Sequence, residues 1–86
     1  MLTVYSKANC PFCDKAKNLL RLKGIEYTEV RVDQDPAARE FIISEGHRTV
    51  PQIYRDGQVY VKNGYNGLAA LTDADFKILK ESQNVS

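Results

Sequence analysis

Apolar and polar positions alternate from the first residues: Leu2-Thr3-Val4-Tyr5 is rich in β-formers and predicts a strand over residues 2–6. The period then lengthens. Phe12, Ala16, Leu19 and Leu20 fall at offsets of four, seven and eight, which is one face of a helix from about Pro11 to Lys23. Asp14, Lys15, Lys17, Asn18 and Arg21 make its wet face, and Gly24 is placed to cap its C-terminus. Ile25 to Val32 alternates strictly again and predicts a half-buried strand. Asp33-Gln34-Asp35-Pro36 turns into a second helix, with Asp35 as N-cap and Pro36 at its first position. This helix carries Phe41 and Ile42 inward and is expected to end at Gly46. A short strand comes next over Thr49 to Tyr54, entered through Pro51. Arg55-Asp56-Gly57-Gln58 is a hairpin turn, Asp-Gly being a strong short signal for one, and Gln58 to Val61 is the returning strand. Beyond Asn66-Gly67 the pattern is helical but interrupted, so a short helix at 67–71 and another at 73–82 are expected. Thr72 with Asp75 three residues on has the form of an N-terminal capping box for the second. Residues 83–86 should fray.

Two strands joined by a helical crossover are expected to run parallel with a right-handed connection, whereas the last two strands form an antiparallel hairpin. A four-stranded mixed sheet with helices on both faces accommodates the order, and the class is α/β. The 86 residues suit one domain, 1–86, with a modest core and no need of staples. Hydrophobic residues at 43% and charged residues at 27% are ordinary for a soluble globular chain. Twelve basic against eleven acidic residues leave a net charge of +1, which offers no footprint for nucleic acid. No run approaches the ~18 apolar residues of a membrane span. The chain enters a strand almost at once, without a basic and apolar leader, so a cytoplasmic, thiol-reducing setting is expected.

That setting changes the reading of the two cysteines, Cys10 and Cys13, which enclose Pro11 and Phe12 where a strand hands over to a helix. A Cys-x-x-Cys in a reducing compartment is more often catalytic than structural. Pro11 suits the first helical position, so free backbone N–H groups and the positive end of the helix dipole point towards Cys10. Such surroundings favour the thiolate, which is the nucleophile. The second sulfur, about one turn on, is placed to attack a mixed disulfide formed at the first. Other readings are weaker. Structural zinc normally takes four ligands, and His47 is the only histidine. A structural disulfide closing so short a loop constrains little chain entropy. Two inert buried cysteines fit the strand-to-helix context poorly.

Lys7-x-x-Cys10-Pro11-Phe12-Cys13, then Thr49-Val50-Pro51, then Asn63-Gly64-Tyr65-Asn66, on this element order, resemble a short dithiol glutaredoxin from residue 1 to about 82. Cys-Pro-Phe-Cys followed about 36 residues later by Thr-Val-Pro-Gln-Ile is what makes the likeness specific. The resemblance implies a thioredoxin-like fold with sheet order 2-1-3-4, Cys10 as nucleophile, Cys13 as resolving thiol, and a cis Pro51 beside the sulfurs. It implies glutathione as the reducing co-substrate and no bound metal. Lys7 would meet a glutathione carboxylate, and Phe12 would flank the groove, although Phe12 also fits as the first core residue of its helix. Thr49 and Val50 would pair their backbone with the cysteinyl part, as an added strand does, while Val50 also reads as a core valine. Gly64, Tyr65 and Asn66 would face the γ-glutamyl end, held by backbone N–H groups at the following helix start. Arg39 and Arg48 read as solvated cations near this groove.

The chain departs from its resemblance at residues 63–67. Relatives commonly carry Gly-Gly-x-Asp-Asp there, against Asn63-Gly64-Tyr65-Asn66-Gly67. Asn66 lacks the carboxylate that would pair the γ-glutamyl ammonium, and Gly67 offers no side chain. The activity implied is reduction of protein disulfides and glutathionylated proteins by a monomer, with a potential of about −200 to −230 mV. Two alternatives stand beside it. One is a glutaredoxin-like donor to ribonucleotide reductase that is itself reduced by thioredoxin reductase. The other is a carrier in which two chains and two glutathiones share an iron–sulfur cluster through Cys10, against which Pro11 argues.

Overall fold

A computed structural model describes residues 1–83. The elements run β1 (Leu2–Ser6), α1 (Pro11–Leu22), β2 (Tyr27–Arg31), α2 (Pro36–Ser44), β3 (Gln52–Arg55), β4 (Gln58–Val61), α3 (Gly64–Ala69) and α4 (Asp73–Gln83). The sheet order is β2-β1-β3-β4, the expected 2-1-3-4. β1 pairs with β2 in parallel and with β3 antiparallel, and β3 with β4 antiparallel. Among the described residues no helix is long and apolar enough to cross a membrane.

Alternation along β1 divides the molecule. Leu2 and Val4 enter a core shared with Ala16 and Leu20 of α1, Ile53 of β3, Leu68 of α3, and Phe76 and Leu79 of α4. Neighbouring strand residues face opposite sides. Tyr5 accordingly meets Phe41 of α2 at 5.7 Å and Tyr54 of β3 at 5.3 Å between ring centroids. Helices therefore cover both faces, with α2 alone against the aromatic one.

Several boundaries differ from expectation, each for a local reason. α1 stops at Leu22 because Gly24 N–H bonds Arg21 O at 3.1 Å and Ile25 N–H bonds Leu20 O at 2.9 Å. This is the Schellman arrangement, and it spends the Ile25 N–H on the helix end. β2 consequently starts at Tyr27, not Ile25, and it closes at Arg31. α2 ends in the same way, at Ser44: Gly46 N–H bonds Ile43 O and His47 N–H bonds Ile42 O. Asp35 caps its start through Ala38 N–H at 3.1 Å, as read from the sequence. Thr49 and Val50 stay outside the ladder, and β3 begins at Gln52, after a cis Val50–Pro51 bond. The hairpin turns on Asp56 and Gly57, both at positive φ.

The largest correction is at α3, which spans 64–69 and not 67–71. Asn66 is inside this helix and caps nothing. The N-cap position belongs to Asn63, at φ +65° and with no side-chain capping bond. The box at α4 is present in full: Asp75 N–H bonds Thr72 Oγ1 at 3.2 Å, and Thr72 N–H bonds Asp75 Oδ2 at 3.0 Å. Gln83 still closes α4. The rest of the expected fray, residues 84–86, lies outside the described residues.

Candidate active site

Cys10 is the N-cap residue of α1, in extended conformation, with Pro11 at the first helical position. Its Sγ accepts the Cys13 N–H at 3.3 Å, so one otherwise unpaired helix-start donor is aimed at this sulfur. The Val50 carbonyl oxygen stands 3.7 Å away and receives the thiol proton when one is present. Only 8% of Cys10 is exposed, and Cys13, one turn on, is wholly buried. Burial pushes the Cys13 thiol up to about 12, reinforced by the Cys10 side chain; the Lys7 backbone N–H and the Lys17 charge pull it down. Two sulfurs three residues apart thus stand in unlike surroundings. Cys10 keeps a small exposed edge at a helix start, and Cys13 is a protonated thiol beneath it.

The sequence reading missed a polar cluster anchored on the buried Ser6. Ser6 Oγ donates to Glu29 Oε2 at 2.6 Å, and Lys17 Nζ reaches the same oxygen at 2.9 Å and Asp14 at 3.5 Å. The Ser6 bond first, then Lys17, holds the Glu29 carboxyl below its usual range. The signal was present in the sequence: Ser6 continues the inward series of Leu2 and Val4, a polar residue at a core position.

Two cavities meet at Thr49 and Val50, the strip whose Val50 carbonyl oxygen stands 3.7 Å from Cys10 Sγ. The first, about 480 Å³, is lined by Lys7, Val32, Asp33, Arg39, Ile42, Ile43, His47 and Arg48 together with that shared pair. Lys7, Arg39 and Arg48 form no ion pair among the described residues, whereas Asp33 is engaged by Arg31 and by Ala8 N–H. The second cavity, about 340 Å³, is lined by Phe12, Pro51, Asn63, Gly64, Tyr65 and Asn66 with the same two residues, and it contains no carboxylate.

Phe12 is not the first core residue of its helix. It is 52% exposed and outside the core, and the buried face of α1 is Cys13, Ala16 and Leu20. Its ring stands 6.2 Å from that of Tyr65, and Lys15 Nζ lies 5.1 Å and 6.0 Å from the two centroids. The Thr49 carbonyl is taken by Gln52 Nε2 at 2.7 Å, while that of Val50 faces Cys10 Sγ. Gly64 proves to be a close-packing position: at φ +53°, a Cβ there would stand 2.5 Å from the Pro51 carbonyl oxygen. Gly67 is constrained likewise, since a Cβ would run into the Lys62 carbonyl oxygen. A side chain at the last position of this loop is excluded by the backbone.

A nucleophile-type cysteine at a helix start, a buried partner thiol and a cis-proline strip on this sheet define a thioredoxin-like thiol–disulfide oxidoreductase. Within that class the chain belongs to the glutaredoxin family, whose model, described as Glutaredoxin, matches residues 2–60. It is 45% identical over 56 residues to Glutaredoxin 3 of Escherichia coli K12, covering 64% of this chain and 68% of that one. Against the Glutaredoxin-like protein NrdH of Lactococcus lactis it is 39% identical over 56 residues, covering 65% and 78%. Among solved structures, a buckwheat glutaredoxin–glutathione complex superposes with a TM-score of 0.74 at 24% identity, over 99% of this chain and 81% of that one.

Proposed function

We propose that residues 1–86 form one glutaredoxin-like domain, acting as a monomer, that uses glutathione to reduce protein disulfides and glutathionylated proteins. One observation carries the reading: Cys10 Sγ accepts a helix-start N–H while Cys13 lies buried and protonated one turn below.

The Cys10 thiolate attacks one sulfur of a protein disulfide. The substrate S–S bond breaks, a Cys10–substrate mixed disulfide forms, and the leaving thiolate takes a proton. Cys13 then gives up its proton and attacks Cys10 Sγ. This releases the second substrate sulfur, which takes a proton in turn, and leaves a Cys10–Cys13 disulfide. Two glutathione molecules restore the pair, the first opening it as a mixed disulfide and the second leaving as oxidised glutathione. On a glutathionylated protein, Cys10 attacks the glutathione sulfur and expels the protein thiol. A second glutathione then releases the first, and Cys13 is not required.

The unpaired Lys7, Arg39 and Arg48 around the first cavity suit an anionic tripeptide, with Lys7 against a carboxylate. The Val50 backbone offers an edge for its extended cysteinyl part. Phe12, Pro51, Gly64, Tyr65 and Asn66 would then enclose the γ-glutamyl end. A second reading, reduction by thioredoxin reductase with ribonucleotide reductase as acceptor, is favoured by the lack of any carboxylate in that second cavity. The likeness to the Lactococcus protein supports the same alternative.

The roles are tested on a glutathionylated peptide with glutathione as reductant. Cys10→Ser should be inactive, and Cys13→Ser should retain deglutathionylation while losing efficient reduction of a protein disulfide. Equal inactivity of both variants on the peptide overturns the assignment.

A further inference from the structure

The segment from Glu45 to Pro51 joins α2 to the strip beside Cys10, and it is fastened at both ends. His47 N–H closes α2 on Ile42 O at 3.1 Å, and Gln52 Nε2 holds Thr49 O at 2.7 Å. At the α2 end His47 Nε2 lies 2.8 Å from Tyr54 Oη, which lies 3.2 Å from Glu45 Oε1. Tyr54 is 1% exposed, and its ring meets Tyr5, Phe41 and His47 edge-on at 5.3, 5.5 and 5.9 Å. Its hydroxyl has no part in the thiol chemistry, yet it ties β3 to Glu45 and His47 at the α2 end of this segment.

The protons in this chain can be counted. A phenol carries one proton, and an ionised carboxylate only accepts. Were Tyr54 to donate to His47, its oxygen would face the Glu45 oxygen with no proton between them. Tyr54 therefore donates to Glu45, and the imidazole supplies the other bond as Nε2–H. Burial, with Glu45 adding to it, pushes the phenol up to about 12, so it keeps its proton.

We propose that Tyr54 is a positioning residue of the substrate groove: its phenol holds His47 as the Nε2–H tautomer and so fixes the Arg48–Val50 backbone beside Cys10. This rests on the proposed function only in taking the Val50 strip as the edge that substrate meets. The tautomer is independent of it. His47 also lines the first cavity, so release of its ring alters the cavity wall and the strip together.

The protein has a single histidine, so long-range 1H–15N correlation spectra at pH 8 report its tautomer without overlap. Nε2–H should dominate in the unaltered protein, and Tyr54→Phe, which keeps the ring, should shift the signal towards the averaged values of a free imidazole. With a disulfide-bonded peptide, driven by whichever reductase supports turnover, Tyr54→Phe should raise KM about three- to tenfold, the worth of one hydrogen bond, with kcat held within twofold. His47→Leu should raise KM as Tyr54→Phe does and add little to it in combination. An Nδ1–H tautomer in the unaltered protein, or an unchanged KM in a folded Tyr54→Phe, overturns the proposal. Absence of turnover with glutathione alone overturns the proposed function instead, and both readouts here survive it.

Discussion

In the native protein Cys13 should resist alkylation while Cys10 reacts. Burial carries the Cys13 thiol to about 12, so at pH 7 only on the order of one molecule in 10⁵ holds it as thiolate. An unperturbed cysteine, with a pKa of about 8.5, is roughly 3% thiolate at the same pH. Chemistry alone thus slows Cys13 by about three orders of magnitude against a free thiol, and its complete burial denies the reagent access as well. The reduced protein is treated with iodoacetamide at pH 7, quenched, digested with trypsin and sequenced by fragment ions. Cleavage after Lys7 and Lys15 leaves both cysteines in one peptide, residues 8–15, with Pro11 and Phe12 between them to separate the labels. Label should sit on Cys10 alone until denaturant is added, and Cys13 should then react like any cysteine. Below its pKa, labelling of Cys13 should rise about tenfold per pH unit. Native labelling of Cys13 within tenfold of Cys10 would refute both the burial and the assignment of Cys13 as the protonated partner.

Gly67→Ala drives a Cβ into the Lys62 carbonyl, an overpacking cost of about 1–3 kcal/mol, which thermal unfolding should record as a lowered Tm. The depressed Glu29 carboxyl contributes stability that is present above its unfolded value of about 4.3 and is lost as pH falls through the folded one. Glu29→Gln should therefore remove on the order of 1 kcal/mol at pH 7 and flatten the fall of the urea midpoint as pH drops below about 4.3. Asn66→Asp supplies a carboxylate beside the second cavity and should lower KM for glutathione a few-fold, about 0.5–1 kcal/mol at a half-exposed site, with kcat nearly unchanged. Lys7→Ala should raise the same KM; steady-state rates against glutathione concentration check both.

The elements with a clear period were legible from the residues alone. β1, α1 and the Asp-Gly hairpin announce themselves through alternation, a 3.6-residue face and turn chemistry. Their ends were less so: Ile25 read as the start of β2 while its N–H belongs to α1, and α2 stops at Ser44, short of the Gly46 that marked its end in the sequence. α3 was displaced by three residues for a related reason: Asn66-Gly67 has the composition of a turn, but Gly67 is there to let the Lys62 backbone approach. The two cysteines were legible from spacing and context, and the cis proline only through the family likeness. Phe12 shows where periodicity misleads, since it occupies an apolar helical offset yet projects beside Tyr65 at the groove. Ser6, Glu29 and Lys17 meet only after β1, α1 and β2 are assembled, as do Glu45, His47 and Tyr54 across α2 and β3. No local pattern encodes such meetings.

Whether glutathione drives this dithiol is decided by NADPH oxidation followed in parallel, with glutathione plus glutathione reductase in one reaction and thioredoxin reductase alone in the other, on the same glutathionylated peptide. Turnover should be sustained in the first, depend on Cys10, persist in Cys13→Ser, and be slow or absent in the second. Turnover with thioredoxin reductase alone, and none with glutathione, would contradict the glutathione-dependent reading and leave the ribonucleotide-reductase donor in its place.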